Sequence, residues 1–207
     1  MTDAAFLHAL REALAGREPG EIADPRAPAT ELRAASVLIP LFEEAGETGI
    51  VLLQRSDHLG KHAGQIAFPG GGLEAGEDDL ACALREAREE VALPPEEVEV
   101  IGQLDRYATF TGYRISPFVG RLRRWPLELV PDPGEVAAIL TVPVARLIEP
   151  GALRVATLGT GRAINFFDVG DHVIWGATAR MLRQLLELAL GRQLEPSGEV
   201  PWDKVRW

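Results

Sequence analysis

The sequence predicts an α/β sandwich, and three observations carry that prediction. Apolar runs of strand length flank a central acidic helix, at residues 35–42 and 49–55 before it and at 96–104 and 114–121 after it. A second long amphipathic helix follows at about 177–190, where Met181, Leu182, Leu185, Leu186 and Ala189 share one face. With 207 residues, 46% of them hydrophobic, the chain can bury one substantial core, whereas two full domains would be a squeeze. It is therefore read as a single domain over 1–207.

Taken in order, Phe6, Leu7, Leu10 and Leu14 repeat at helical spacing, with Thr2 or Asp3 as N-cap and Gly16 as a stop, giving a helix over about 3–15. Residues 18–30 hold Pro19, Pro25 and Pro28 and few large apolar side chains, so they read as a surface connection. The runs 35–42 and 49–55, separated by polar residues 43–47, form a β-hairpin pattern. Next comes a polar loop with Arg55, His58, Lys61 and His62, a short apolar step at 66–68, and then Pro69, Gly70, Gly71 and Gly72. Glycines there let backbone approach a ligand closely, and free amides leading into a helix can hold anionic oxygens.

Beyond the acidic helix, Pro94 and Pro95 mark a turn, 96–104 and 114–121 read as strands, and 106–113 as a loop. Arg121, Arg123 and Arg124 are either rim charges or a contact for a nucleotide phosphate. Residues 131–135 form a turn into a short apolar segment that ends at Pro143, and 146–161 is mixed. Short strands are expected at 164–169 and 173–175, Gly191 stops the last helix, and 196–207 reads as a tail whose Trp202 and Trp207 can pack back.

Composition narrows the function classes. A net charge of −10 disfavours nonspecific binding to nucleic acid or an anionic membrane, while leaving room for a small anionic substrate at a local basic patch. The single cysteine, Cys82, excludes an intrachain disulfide framework and a cysteine-rich zinc site. No stretch approaches the ~20 apolar residues of a membrane helix, and the first residues lack a basic start and apolar core. A cytoplasmic protein is expected; its oligomeric state is not legible.

The chemistry concentrates in residues 71–93. On the helical wheel Glu86, Glu89 and Glu90 share one narrow face, beside an apolar stripe of Leu80, Ala83, Leu84, Ala87 and Val91. Three like charges so crowded are tolerable around a cation, and clustered oxygen ligands suit Mg2+ or Mn2+, which often bridge to substrate phosphates.

The spacing here is Gly71, five residues, Glu77, seven residues, Arg85 and Glu86, the small Ala87, then Arg88, Glu89 and Glu90. This resembles the Nudix box, the signature of hydrolases that cleave a nucleoside diphosphate linked to another group. One position departs: Ala92 stands where the box has a glycine, before the expected apolar Leu93. The resemblance implies an α/β/α sandwich with a mixed β-sheet and a metal-dependent pyrophosphohydrolase. It assigns Glu86 and Glu90 as metal ligands, Glu89 as a further ligand or the base, the Gly71 carbonyl as a possible contributor, and Arg85 with Glu77 as a pair orienting the loop. Glu86, Glu89 and Glu135 all remain candidates for the base.

A second resemblance, to the coenzyme A pyrophosphatase subgroup, rests on Arg55, Ser56, Gly64, Phe68, Pro69, Gly70 and Gly71, and more weakly on 175–179. The match breaks at Leu53, where the subgroup has threonine, and at Gly60, where it has a basic residue that Lys61 supplies one position late. It implies a substrate contact made by Arg55, Lys61, His62, Gly64, Phe68 and Gly70. The implied products are 3',5'-ADP and a 4'-phosphopantetheine. ADP-ribose or another nucleoside diphosphate derivative is the alternative substrate, and a non-catalytic nucleotide sensor the alternative class.

Overall fold

The computed structural model describes residues 3–57, 64–157 and 163–205. In chain order the elements are α1 (Asp3–Leu14), β1 (Glu21–Ala23), β2 (Arg33–Glu44), β3 (Glu47–Arg55), β4 (Ile66–Ala67), β5 (Gly70–Gly72), α2 (Asp79–Val91), β6 (Val98–Gln103), β7 (Arg106–Ala108) and β8 (Tyr113–Leu122). They continue with β9 (Val136–Pro143), α3 (Val144–Leu147), β10 (Leu153–Thr157), β11 (Ala163–Val169), β12 (His172–Trp175), α4 (Gly176–Leu190) and β13 (Glu199–Pro201).

β2 and β8 run parallel at the centre of a nine-stranded mixed sheet, with Arg33 to Leu41 in register with Tyr113 to Arg121. The β2–β3 hairpin turns at Ala45 and Gly46, both at positive φ, as a two-residue loop between right-twisted strands requires. Its ladder runs only as far as Leu41 opposite Ile50. Beyond that the two strands part, and β5 pairs with β2 at Ala35 to Val37 while β4 pairs with β3 at Leu53 and Gln54. The glycine loop is thus wedged into a fork in the sheet and held by backbone bonds on both sides.

Side chains alternate along these strands with period two. On β3, Ile50 and Leu52 enter an apolar cluster with Phe6 and Leu10 of α1 and Leu182 and Leu186 of α4, while Val51 and Leu53 meet Ala83, Ala87 and Val91 of α2. Helices therefore cover both faces of a mixed sheet, the α/β/α sandwich. A four-stranded sheet in the order β12-β11-β10-β13 adds Leu153, Phe167 and Ile174 to the α1–α4 cluster. Each fully buried aliphatic or aromatic side chain contributes about 1.5–3 kcal/mol, so the core packed on α2 fixes that helix strongly.

Short elements were not visible in the sequence. β1 and β7 lie in segments expected to be irregular, and β13 in the expected tail, because three-residue strands are made by a neighbour's backbone and carry no periodic signal. The tail packs back as expected at Trp202, whose ring meets Trp175 edge-on at 5.8 Å. Trp207 lies outside the described residues. Among the described residues no helix is long and apolar enough to cross a membrane.

Candidate active site

α2 is positioned at each end by a different device. Asp78 caps its start by accepting from the Ala81 amide at 2.8 Å, and Asp79 accepts from the Ser116 hydroxyl at 2.7 Å, fixing the first turn to β8. The helix ends at Ala92, left-handed at φ 54° and ψ 30°, whose N–H reaches the carbonyls of Ala87 and Arg88. That is the conformation a glycine adopts freely, so the alanine holds a strained turn of about 1 kcal/mol.

The glycine loop is shaped by what it must pass. A Cβ on Gly70 would stand 2.3 Å from the Ser36 carbonyl, and one on Gly71 only 2.4 Å from Glu86 Oε1. Bare backbone at Gly71 lets the Glu86 carboxylate settle directly on the loop. Cys82 is tucked beneath, its Sγ 3.6 Å from the Gly71 carbonyl, and burial pushes its thiol up to about 11.

The three box glutamates sit in different surroundings. Glu90 is only 3% exposed and accepts from the Gly70 amide at 2.9 Å, Glu86 is half-buried, and the Glu89 side chain is 59% exposed. Burial pushes the Glu90 carboxyl up to about 7, and the Glu86 carboxyl is also raised, again chiefly by burial. Among the described residues no three His, Cys, Asp or Glu side chains are gathered as a ready metal cluster. Arg85 Nη1 donates to Glu86 Oε1 and to Glu89 Oε2, both at 2.9 Å, and so takes up part of their charge.

The same guanidinium grips Glu77 in a fork, Nε to Oε1 at 2.8 Å and Nη2 to Oε2 at 3.0 Å, and also donates to the Gly72 carbonyl at 3.2 Å. Arg85 and the Glu74 amide hold the Glu77 carboxyl down at about 2. Loop 72–77 is thereby laced to α2 by one side chain.

Tertiary structure adds a contact that spacing along the chain could not supply. The Asp132 and Val130 amides donate to the carbonyls of Glu90 and Val91, which pins the loop before β9 to the end of α2. Glu135 of that loop comes to 3.8 Å from Arg55 Nη2, while Arg55 Nη1 lies 3.4 Å from Glu90. Arg55 thus stands between a buried carboxylate and an exposed one. The sequence singled out Glu135 as a candidate base and Arg55 as a substrate contact, but not their meeting.

The loop that follows Arg55 is described in part. Lys61 and His62 lie outside the described residues. Gly64, at φ 70°, closes the loop by donating to the Arg55 carbonyl at 3.1 Å. Phe68 is 3% exposed in the α1–α4 cluster, so its ring supports the loop from within. The Gly70 amide is already engaged by Glu90. Arg121 and Arg124 pair with Glu43 and Glu97, and Arg123 donates to the Glu96 carbonyl, as rim charges do.

Residues 32–158, covering the fork, the glycine loop, α2 and the Glu135 loop, match the NUDIX domain model. The chain belongs to the Nudix family. Proteins named uncharacterized Nudix hydrolase NudL, from Salmonella newport and Salmonella heidelberg, are 40% identical over 158 residues, which is 74% of this chain and 81% of theirs. Among solved structures, a Nudix hydrolase from Nitrosomonas europaea aligns over 90% of both chains with a TM-score of 0.53 at 16% identity. A Deinococcus radiodurans protein aligns over 76% of this chain and 86% of its own, with a TM-score of 0.52 at 15% identity. At such identities the structural likeness speaks to the fold. Family membership makes this chain a Nudix-type hydrolase of nucleoside diphosphate compounds.

Proposed function

We propose that this Nudix hydrolase cleaves the diphosphate of coenzyme A, or of a derivative, into 3',5'-ADP and a 4'-phosphopantetheine product, using Mg2+ or Mn2+. The observation that carries the reaction is the Glu90 carboxyl. It is buried, accepts from the glycine loop, and is pushed up to about 7 by that burial, which the Gly70 amide and Arg55 offset only in part.

The donor set suits a hard divalent ion. Glu86 and Glu90 offer carboxylate oxygens one turn apart, the Glu86 carboxylate lies against the Gly71 backbone, whose carbonyl is a further candidate ligand, and Glu89 is a candidate to join them. Such an ion, when bound, polarises the phosphate and lowers the pKa of the attacking water. Glu86, Glu89 and Glu135 are the candidates to accept the proton of that water. Arg85 with Glu77 orients the helix against the loop and transfers no proton. Arg55, Lys61, His62, Gly64, Phe68 and Gly70 form the substrate loop, with Arg55 directed to the diphosphate and Phe68 acting from the core. The single-domain organisation belongs to the same proposal, supported by an apolar cluster that α1, both sheets and α4 share.

The coenzyme A assignment rests on the signature from Arg55 to Gly71. Its breaks at Leu53 and Gly60 favour a second reading, in which ADP-ribose or another nucleoside diphosphate derivative is the substrate. Both readings keep the reaction. Turnover of the purified protein with Mg2+ or Mn2+ on coenzyme A, ADP-ribose and dinucleoside polyphosphates separates them: good cleavage of ADP-ribose with none of coenzyme A overturns the first. Tight nucleotide binding with no turnover in any divalent metal would point instead to a sensor.

A further inference from the structure

We propose that two copies of this chain associate through the outer edge of β9 (Val136–Pro143), joining their nine-stranded sheets antiparallel about a twofold axis. β9 pairs with β3 on one side, and among the described residues no strand lies on the other. A strand edge left open offers a row of unpaired amides and carbonyls, and monomeric proteins blunt such edges with charge, brevity, bulges or a cover.

The opposite side of the sheet is blunted in these ways. β1 is only three residues long and begins with Glu21. β6 carries Glu99, ion-paired to Arg11 of α1 at 2.7 Å, and its register breaks between Val100 and Gly102. β9 carries one such irregularity, a register shift against β3 at its start, where Arg55 faces Val136 and Gln54 faces Ala138, but from Ala138 to Val142 its pairing is regular. Its residues Val136, Ala137, Ala138, Ile139, Leu140, Thr141 and Val142 are uncharged, in a chain of net charge −10, and only Pro143 at its end interrupts hydrogen bonding. Ile139 and Leu140 are half-buried and lie on opposite faces, each packed against a different apolar cluster.

The charges that bound the strand select its partner. Glu135 precedes β9 and Arg146 is the first charged residue after it. An antiparallel second copy brings each acidic end toward the other's basic end, whereas a parallel copy would align like with like. Side chains keep their faces only if paired positions sum to an even number. Centring on Leu140 does this, setting Ile139 beside Thr141 and Ala138 beside Val142 of the second copy. Both helical layers then continue across the axis.

The test is sedimentation equilibrium of the full chain over a range of concentrations. Wild type is expected to reach twice the 22.5 kDa of one chain. Thr141→Lys and Ala137→Lys, at positions exposed in the single chain, are each expected to remain near 22.5 kDa with an unchanged circular dichroism spectrum. Val100→Lys on β6, 37% exposed, is expected to leave the dimer intact. Amides of β9 should also exchange with deuterium more slowly as wild-type concentration rises. A wild type that stays at single-chain mass throughout overturns the proposal, as does a dimer that survives both lysine substitutions. If one variant fails to fold, the other and the exchange experiment decide.

Discussion

Glu77 and Glu90 are the same residue type in the same short stretch of chain, yet their surroundings drive them in opposite directions. Glu77 is held by both arms of Arg85 and by the Glu74 amide, and its carboxyl falls to about 2. Glu90 is buried with one backbone amide and a longer contact to Arg55, and its carboxyl rises to about 7. A carboxylate whose charge is fully matched does structural work. One that is desolvated and only partly matched is costly to the fold, which is the pattern of a site kept for a ligand.

The largest effect should come from removing the costly one. Glu90→Gln is expected to lower kcat/KM with Mg2+ by more than the roughly 10–100-fold typical of losing a metal's outer-shell partner. The metal-free variant should at the same time be the more stable protein at high pH. Because the folded carboxyl titrates near 7 and an unfolded one near 4.5, wild type loses stability as pH rises through that interval. At pH 8 the variant should therefore exceed wild type by on the order of 1–3 kcal/mol, read by urea denaturation in chelator. Full activity in Glu90→Gln would break the comparison.

Arg85→Ala comes next. It frees Glu77, Glu86 and Glu89 at once and should cost about 1–3 kcal/mol in the same denaturation experiment. Arg85→Lys should recover only part of this, since an ammonium cannot reproduce the two-armed contact with Glu77.

A smaller, pH-coded effect is expected for Glu77→Gln. The folded carboxyl near 2 lies below the ordinary 4.5, so its contribution is complete above about 4.5 and disappears as pH falls toward 2. Stability curves of wild type and variant should stand apart at neutral pH and converge across that acidic window. Curves that stay parallel would remove Glu77 from its bracing role.

The smallest effect concerns backbone alone. Ala92→Gly relieves the left-handed alanine at φ 54° and should stabilise the protein by about 0.5–1 kcal/mol, net of the added freedom of the unfolded chain. Because it leaves Glu90 and its carbonyl contact to Asp132 in place, kcat should hold.

Much of the fold could be read in advance where periodicity was strong. The helices at 3–14 and 176–190 and the β2–β3 hairpin lie within a few residues of their expected places, since each buries a regular stripe. The fork that admits β4 and β5 left no trace, because two- and three-residue strands are made by pairing and not by pattern. Within the box the glutamates were legible as a group, but their fates were not. Whether a carboxylate is buried against Gly70, shared with Arg85 or left in water depends on distances that spacing along a helix does not contain.

By itself, then, the sequence determined the alternation of strands and helices, the acidic face of α2 and the hydrolase family, because these follow from local period and residue type. Tertiary structure alone decided that Arg85 binds three glutamates, that Glu90 is desolvated, and that Arg55 meets Glu135 from a loop 80 residues away. Charge balance is a property of neighbours in space, and neighbours are fixed only when the sheet closes.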